Sequence, residues 1–136
     1  MEVYEAIRTV LAVREFQNRP VPQKVIRKII ESARLTASSM NGQPWHFVII
    51  QNRDTLLKLG SLVKPGPYNA HAAFSVAVAI EKASPYGISD ASRAIQSMVL
   101  TAWEEGIGSN CTGWVGMTIV ASFLGIPEGM DVIAVV

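Results

Sequence analysis

The sequence predicts a mixed helix-and-strand domain in which both faces of a sheet are covered. The chain has 136 residues, which is the usual size of one domain. Two segments, 46–51 (HFVIIQ) and 74–81 (FSVAVAIE), are almost continuously apolar, a pattern typical of strands buried on both faces. Residues 22–35 instead place apolar side chains at helical spacing. No repeat or linker divides the chain, so one domain over residues 1–136 is expected.

Two helices are expected in the N-terminal part. The first covers residues 3–11, and the second begins at Pro22, because proline suits a first helical position, and ends near Leu35. One face of the first helix carries Tyr4, Ile7 and Leu11. The apolar stripe of the second consists of Val25, Ile26, Ile29, Ile30 and Ala33.

The remaining elements alternate between strand and helix patterns. After the strand at 46–51, Asn52 is a plausible N-cap for a helix over 53–63. After the strand at 74–81, the longest helix begins near residues 89 and 90 and stops at Gly106. Residues 131–136 (DVIAVV) predict a last strand. Because a buried strand normally leads to a further covering element, the domain is expected to be truncated after it.

Composition and charge argue against several classes of function. Twelve Lys and Arg face eleven Asp and Glu, a net charge of +1, and no basic stripe typical of a nucleic-acid binder is present. The apolar runs are too short for a membrane span, and the acidic N-terminus does not resemble a signal peptide. The single Cys111 cannot form an internal disulfide, which fits a reducing cytoplasm.

Common catalytic motifs are also missing. The sequence has no Walker loop, no nucleophile elbow and no zinc-binding spacing. His46 and His71 have no obvious carboxylate or cysteine companion, so surface or partly buried positions are favoured over catalytic ones. Cys111 is favoured as a small buried residue over a nucleophile, because no base accompanies it.

Three stretches combine polar groups with a tight backbone: RTVLAVREF (8–16), TASSMNGQPWHF (36–47) and GIGSNCTGWVG (106–116). In this order, and together with LGIP at 124–127, they resemble the nitroreductase family of FMN-dependent oxidoreductases. The resemblance implies an α+β fold with a central, mostly antiparallel sheet covered by helices. It also implies a homodimer with the flavin site between the subunits. The long helix would lie near the dimer axis, where its Ala91, Ala94, Ser97 and Ala102 would permit close approach, although such residues also occur inside monomers.

The resemblance also implies which residues hold FMN. The set comprises Arg14, Ser38, Ser39, Asn41, Gln43, Thr112 and Gly113. A flavin ring needs amide donors and acceptors along one edge, which suits the Ser and Asn cluster. Arg14 would stabilise the anionic reduced ring, although a solvated arginine at a helix end is the alternative. Gln43 would bond the ring or tie down its own turn.

Two tryptophans near these residues are not assigned to the flavin contacts. Trp45 is expected to support the core, and Trp114 lines the substrate face or packs locally. In the family, a nicotinamide donor reduces the flavin and then leaves. A small acceptor such as a nitroaromatic or quinone then takes the electrons from the flavin. No side-chain nucleophile is needed, which explains the missing triad.

Two departures from the family pattern concern the FMN phosphate. The family's arginine and serine, four and two residues before Arg14, are replaced here by Val10 and Ala12, and Arg8 is a possible substitute. The family's C-terminal arm is expected to be absent. A flavin-binding protein without turnover and a structural or dimerisation module therefore stay open beside the NAD(P)H-dependent enzyme.

Overall fold

The computed structural model is a three-stranded antiparallel sheet with helices on both faces, and it describes residues 1–64, 67–113 and 117–136. The helices are α1 (Val3–Thr9), α2 (Gln23–Arg34), α3 (Arg53–Leu62), α4 (Gly87–Glu104) and α5 (Met117–Leu124). The strands are β1 (Trp45–Ile50), β2 (Ser75–Glu81) and β3 (Met130–Val135), in the order β1-β2-β3. The predicted α+β class with an antiparallel sheet is confirmed.

The central strand β2 organises the core because both of its faces are covered. Val76, Val78 and Ile80 point to one face, where they pack with residues of α2 and α4. Ala77 and Ala79 point to the other, where they pack with residues of α3 and α5. This alternation explains the continuous apolar run in the sequence, since side chains on a strand alternate between the two faces.

The apolar face of α1 is exposed. Tyr4 is 76% exposed, Ile7 53% and Leu11, just beyond the helix, 64%, whereas Ala6 is buried. Amphipathic helices normally bury such a face. Within one chain, the helix is held by Trp103, whose indole nitrogen donates to Thr9 Oγ1 at 2.9 Å. Its large apolar side chains therefore remain available to another surface.

The small residues of α4 face the interior of the chain, which is the alternative placement expected for them, and a dimer axis near this helix stays a prediction. Ala91, Ala94 and Ala102 are buried in the cluster shared with α2 and β2. Ser97 also faces α2, because its hydroxyl accepts a hydrogen bond from Thr36 at 2.8 Å. Close packing of α4 therefore occurs against α2 within the same chain.

Helix α5 was not anticipated from the sequence pattern. Its segment MTIVASFL has almost no polar positions, so helical periodicity is hidden, and β-branched residues weaken the helical signal further. The helix forms because Val120 is buried against the second face of the sheet. Among the residues described, no helix is both long and apolar enough to cross a membrane.

Candidate functional site

Residues 38–43 form a tight polar turn between α2 and β1, here called the amide turn. The Asn41 backbone N–H donates to Ser38 O at 3.1 Å, and the Gln43 N–H donates to Ser38 Oγ at 3.0 Å. The Gln43 side-chain nitrogen donates to Asn41 Oδ1, also at 3.0 Å. Gln43 thus ties down its own turn, while its contact with a flavin ring stays a prediction; Asn41 and Gln43 are both exposed.

The backbone of the amide turn is strained. Met40 and Asn41 both have φ of 53° and Gln43 has φ of 47°, although none of them is glycine. Such left-handed conformations are costly for Met40 and Gln43, are better tolerated by asparagine, and concentrate at functional sites. Met40 is 92% exposed, so no burial of its side chain compensates for the strain. The turn therefore needs support from outside its own sequence.

That support comes from Asp90 in the first turn of α4. The Ser39 backbone N–H and the Ser39 hydroxyl both donate to Asp90 Oδ1 at 3.0 Å. Arg93 forms an ion pair with the same oxygen. Burial alone raises the pKa of Asp90, but the hydrogen bonds from Ser39 and Arg93 outweigh it and hold the pKa below its ordinary value. Asp90 is therefore an anionic anchor that sequence motifs did not reveal.

Arg14 lies in a second region, residues 10–16, here called the arginine loop. Its guanidinium carbon lies 5.9 Å from the centre of the Tyr68 ring, a cation-π distance. The loop is fixed by Val13, whose N–H donates to Ser109 O at 2.9 Å and whose carbonyl accepts from Asn110 Nδ2 at 3.0 Å. Tyr68 was missed at the sequence level because it is 54 positions from Arg14 and belongs to no motif.

Thr112 is buried next to this loop and forms hydrogen bonds within the chain. It is 4% exposed, and both its N–H and its hydroxyl donate to Val135 O, at 2.7 and 3.0 Å. The hydroxyl also lies 3.4 Å from Asn69 Oδ1, and Asn69 donates to Ser75 Oγ at 2.9 Å. The donors of Thr112 are thus already engaged within the chain, and its contact with a flavin stays a prediction.

Gly113 continues the chain with φ of 101°, a conformation that favours glycine. A Cβ at this position would lie 2.7 Å from Met117 Sδ. A side chain is therefore disfavoured mainly by the backbone conformation, since the flexible end of Met117 can move aside. Trp114, for which a substrate-facing role was considered, lies outside the described residues.

A cavity of about 530 Å³ opens beside the arginine loop. Its walls come from Val13 and Phe16 of the loop and its continuation, from Met98 and Trp103 of α4, and from the buried Asn69. Its lining is mixed, because polar residues such as Asn69, Asn110 and Thr112 lie among the apolar ones. It lies on the same side of the fold as Arg14 and Thr112.

The amide turn and the region of Arg14 and Thr112 lie at opposite ends of β2. Pro44, directly after the turn, accepts a hydrogen bond from the N–H of Glu81 at one end of this strand, whereas Asn69 bonds Ser75 at the other. At ~3.3 Å per residue, the two ends are about 20 Å apart. One chain therefore does not bring its two groups of predicted FMN residues together around a single ring.

The remaining candidates have ordinary environments. His46 is exposed and lies 3.3 Å from a Glu81 oxygen, so it has a carboxylate companion that the sequence did not suggest. Cys111 is partly buried, and burial raises the pKa of its thiol, which disfavours the reactive thiolate. Trp45 is buried and stacks on Phe47, as expected of core support. No cluster able to hold a metal ion occurs in the ranges that the structure describes.

The residues at the predicted phosphate end offer few donors. Arg8, the possible substitute for the missing basic residue, makes two bonds of 2.7 and 2.8 Å to the carboxylate of Glu5. Val10 ends α1, and Ala12 forms an isolated parallel bridge with Ser109. The side chains of Val10 and Ala12 cannot donate hydrogen bonds.

Comparison with known proteins adds the evolutionary context. The chain matches the sequence model of the nitroreductase family over residues 8–83 and 65–136. A protein from Methanothermobacter thermautotrophicus, described as "Putative NADH dehydrogenase/NAD(P)H nitroreductase", is 33% identical over 117 residues, which cover 83% of this chain and 61% of that protein. A protein from Archaeoglobus fulgidus with the same description is 31% identical, covering 99% of this chain and 83% of the relative.

A solved structure has the same fold. It is described as an FMN-dependent nitroreductase from Clostridium difficile R20291 and superposes with a TM-score of 0.91 at 20% identity, over 96% of this chain and 82% of that one. The nitroreductase-like fold expected from the sequence is confirmed by this superposition. The chain belongs to the nitroreductase family, and it spans less than two thirds of the length of its Methanothermobacter relative.

Proposed function

We propose that this chain is an FMN-dependent oxidoreductase that takes electrons from NAD(P)H and passes them to a small electrophile such as a nitroaromatic or a quinone. Membership of the family and the descriptions of its relatives support this proposal. The single observation that carries it is the amide turn, where a strained backbone exposes two side-chain amides within the family's signature segment.

The donor set of the chain fits a flavin. Among the described residues, neither Asn41 Nδ2 nor Gln43 Oε1 has a protein partner, and both side chains are exposed. The turn thus offers one donor and one acceptor to the polar edge of a ring. Arg14 adds a guanidinium that is held on Tyr68, and no carboxylate of the described residues lies within 4.0 Å of it.

Bound FMN would supply two-electron transfer between the nicotinamide donor and the acceptor. The chain's own residues would orient and tune it. Asn41 and Gln43 would hold the hydrogen-bonding edge, because their amides are presented by a fixed backbone. Arg14 would favour the reduced, anionic ring electrostatically, because its guanidinium carries a positive charge.

The same proposal includes a homodimer in which each site takes the amide turn from one subunit and the arginine loop from the other. The separation of about 20 Å between the two ends of β2, near which these regions lie, supports it, because a composite site needs no single chain to span that distance. The exposed apolar residues of α1, Val3, Tyr4 and Ile7, offer a surface for such an association.

A second candidate is a flavin-binding protein without turnover. It is favoured by the phosphate end, where Val10 and Ala12 provide no side-chain donors and Arg8 is paired with Glu5. The dimerisation module is a further alternative, and it predicts no flavin binding.

Flavin titration followed by anaerobic reduction tests these functions. We expect the purified protein to quench added FMN fluorescence, and we expect NADH or NADPH to bleach the bound flavin in the absence of oxygen. Binding without bleaching would favour the second candidate. A protein that remains colourless and unresponsive to FMN would contradict both.

Subunit complementation tests the composite site. Chains carrying Arg14→Ala and chains carrying Asn41→Gly, with different affinity tags, are coexpressed, and mixed dimers are purified. One site of each mixed dimer then has both intact regions, so we expect wild-type FMN affinity at about one site per two chains. Uniformly weakened sites in the mixed dimer would contradict the shared arrangement. Mixed dimers of wild-type and Arg27→Ala chains, which change an exposed arginine of α2, are the control.

A further inference from the structure

The buried carboxylate of Asp90 is unusual in its environment. It is 1% exposed, and its Oδ1 receives the Ser39 N–H, the Ser39 hydroxyl and Arg93 together. Its other oxygen, Oδ2, is buried and has no hydrogen-bond partner among the described residues. Carboxylates are almost never fully buried unless paired, and an unsatisfied buried oxygen is unfavourable. An apolar residue would satisfy packing at this position more simply.

The hydrogen bonds to Asp90 constrain the backbone at the point where the strain begins. Both donors of Ser39 are directed to one oxygen, so the orientation of its peptide and of its side chain is fixed. The next two residues, Met40 and Asn41, are those with φ of 53°. Without a fixed Ser39, these residues would relax toward ordinary conformations and the Asn41 amide would turn away.

We infer that Asp90 is a positioning residue, which anchors the amide turn to the first turn of α4 and so holds the Asn41 and Gln43 amides in their binding orientation. This inference rests on the proposed function, because the amides are the groups proposed to meet the flavin. Asp90 itself touches neither amide and acts through Ser39.

The location of Asp90 makes the anchor rigid. Helix α4 packs along α2 and the sheet through Ala91, Ala94 and Met98, all of which are buried. A carboxylate in the first turn is also favoured by the positive end of the helix dipole. The exposed turn is thereby joined to a helix that packs against both α2 and the sheet.

The test compares Asp90→Asn and Asp90→Ala with the matched control Ser92→Ala. Ser92 lies on the same helix turn, and its exposed hydroxyl donates only to Ile88 O at 2.7 Å. Amide hydrogen exchange of the FMN-free protein measures how firmly Asp90 holds the amide turn, and it does not depend on flavin binding. We expect faster exchange at residues 39–43 in both Asp90 variants, with exchange in the second half of α4 unchanged, and no change in Ser92→Ala.

Flavin binding tests the positioning role itself. We expect about three- to tenfold weaker FMN affinity in Asp90→Ala and an altered visible circular dichroism of the flavin at saturation. The double variant with Asn41→Gly should lose less affinity than the product of the two single losses, because both changes act on the Asn41 amide. A merely structural Asp90 would instead lower thermal stability, give additive losses and leave the flavin spectrum unchanged.

The outcomes separate this inference from the proposed function. Unchanged exchange at residues 39–43, or unchanged FMN affinity despite faster exchange, would overturn the role of Asp90 while leaving the flavoprotein intact. If the wild-type protein binds no FMN although the exchange pattern is as expected, the proposed function fails, and the positioning of a flavin by Asp90 fails with it.

Discussion

The amide turn and the arginine loop reach fixed geometries by different means. The turn has strained φ values at Met40 and Asn41 and depends on hydrogen bonds to the remote, buried Asp90. The arginine loop is held by backbone bonds between Val13 and the 109–110 segment, and its arginine rests on an aromatic ring. One region therefore stores strain and the other does not.

This difference teaches which kind of change each region tolerates. The conformation of a strained turn is lost when a distant anchor is removed, so its sensitivity extends to α4. The guanidinium of an exposed arginine on an aromatic face keeps its charge and its approximate place when neighbours change. Removal of Arg14 should thus act through charge, and removal of the Asp90 anchor behind the amide turn should act through geometry.

The largest effect is expected from restoring phosphate donors to the arginine loop. The double substitution Val10→Arg with Ala12→Ser introduces side chains that can donate to a phosphate. Two charge-assisted hydrogen bonds contribute at least ~3 kcal/mol, so FMN affinity should rise more than about a hundredfold. Riboflavin, which lacks the phosphate, is the internal control and should bind as before. If the unaltered protein already binds FMN a hundredfold tighter than riboflavin, an unrecognised phosphate site exists.

The next effect concerns charge alone. Arg14→Ala should lower the flavin reduction potential by about 30–60 mV, since a charge-assisted contact of ~1.5–3 kcal/mol to the reduced ring is lost. The potential is measured against a reference dye at equilibrium, with Arg27→Ala as a matched loss of one exposed arginine. An unaltered potential in a variant that still binds flavin normally would remove Arg14 from the site.

A smaller effect is expected from the amide turn. Asn41→Gly removes the side-chain amide but keeps a residue that adopts φ of 53° readily. FMN affinity should fall about two- to tenfold, the value of one neutral hydrogen bond, while the melting temperature of the FMN-free protein stays level or rises. Met40→Gly relieves the same strain without removing an amide, so it should leave FMN affinity unchanged. Equal losses in both variants would show that backbone rigidity, and not the amide, determines binding.

The smallest expected effect is on the melting temperature, and it appears only at acidic pH. Because the folded-state pKa of Asp90 is lowered, its carboxylate stabilises the fold above the unfolded-state pKa near 3.9, and this stabilisation is lost as pH falls through the folded-state value. Asp90→Asn should therefore show a shallower fall in melting temperature below about pH 4 than the unaltered protein. Hydrogen bonds from Arg34 and Lys28 also lower the pKa values of Glu31 and Glu104. These groups are present in both the variant and the unaltered protein, so their contribution cancels in the comparison. Parallel acid curves would contradict the anchoring charge.

Much of the fold could be read from local patterns, as β2 and α2 illustrate. The continuous apolar run of β2 reflects burial on both faces, and the stripe of α2 reflects its contact with α4 and the sheet. Helix α5 escaped detection because a uniformly apolar segment carries no period. The apolar face of α1 is exposed, although helical periodicity of apolar residues normally indicates a buried face. Periodicity identifies an apolar face but not the surface that covers it.

The sequence by itself determined the family, the antiparallel α+β fold, and the polar segments around Arg14 and Asn41, because these depend on residue types in order along the chain. Only the tertiary structure decided that Asp90 supports Ser39 and that Tyr68 lies under Arg14. It alone placed the two predicted groups of FMN residues at opposite ends of β2. The physical reason is that hydrogen bonds and ring contacts depend on proximity in space, and helix packing brings together side chains that are more than fifty residues apart in sequence.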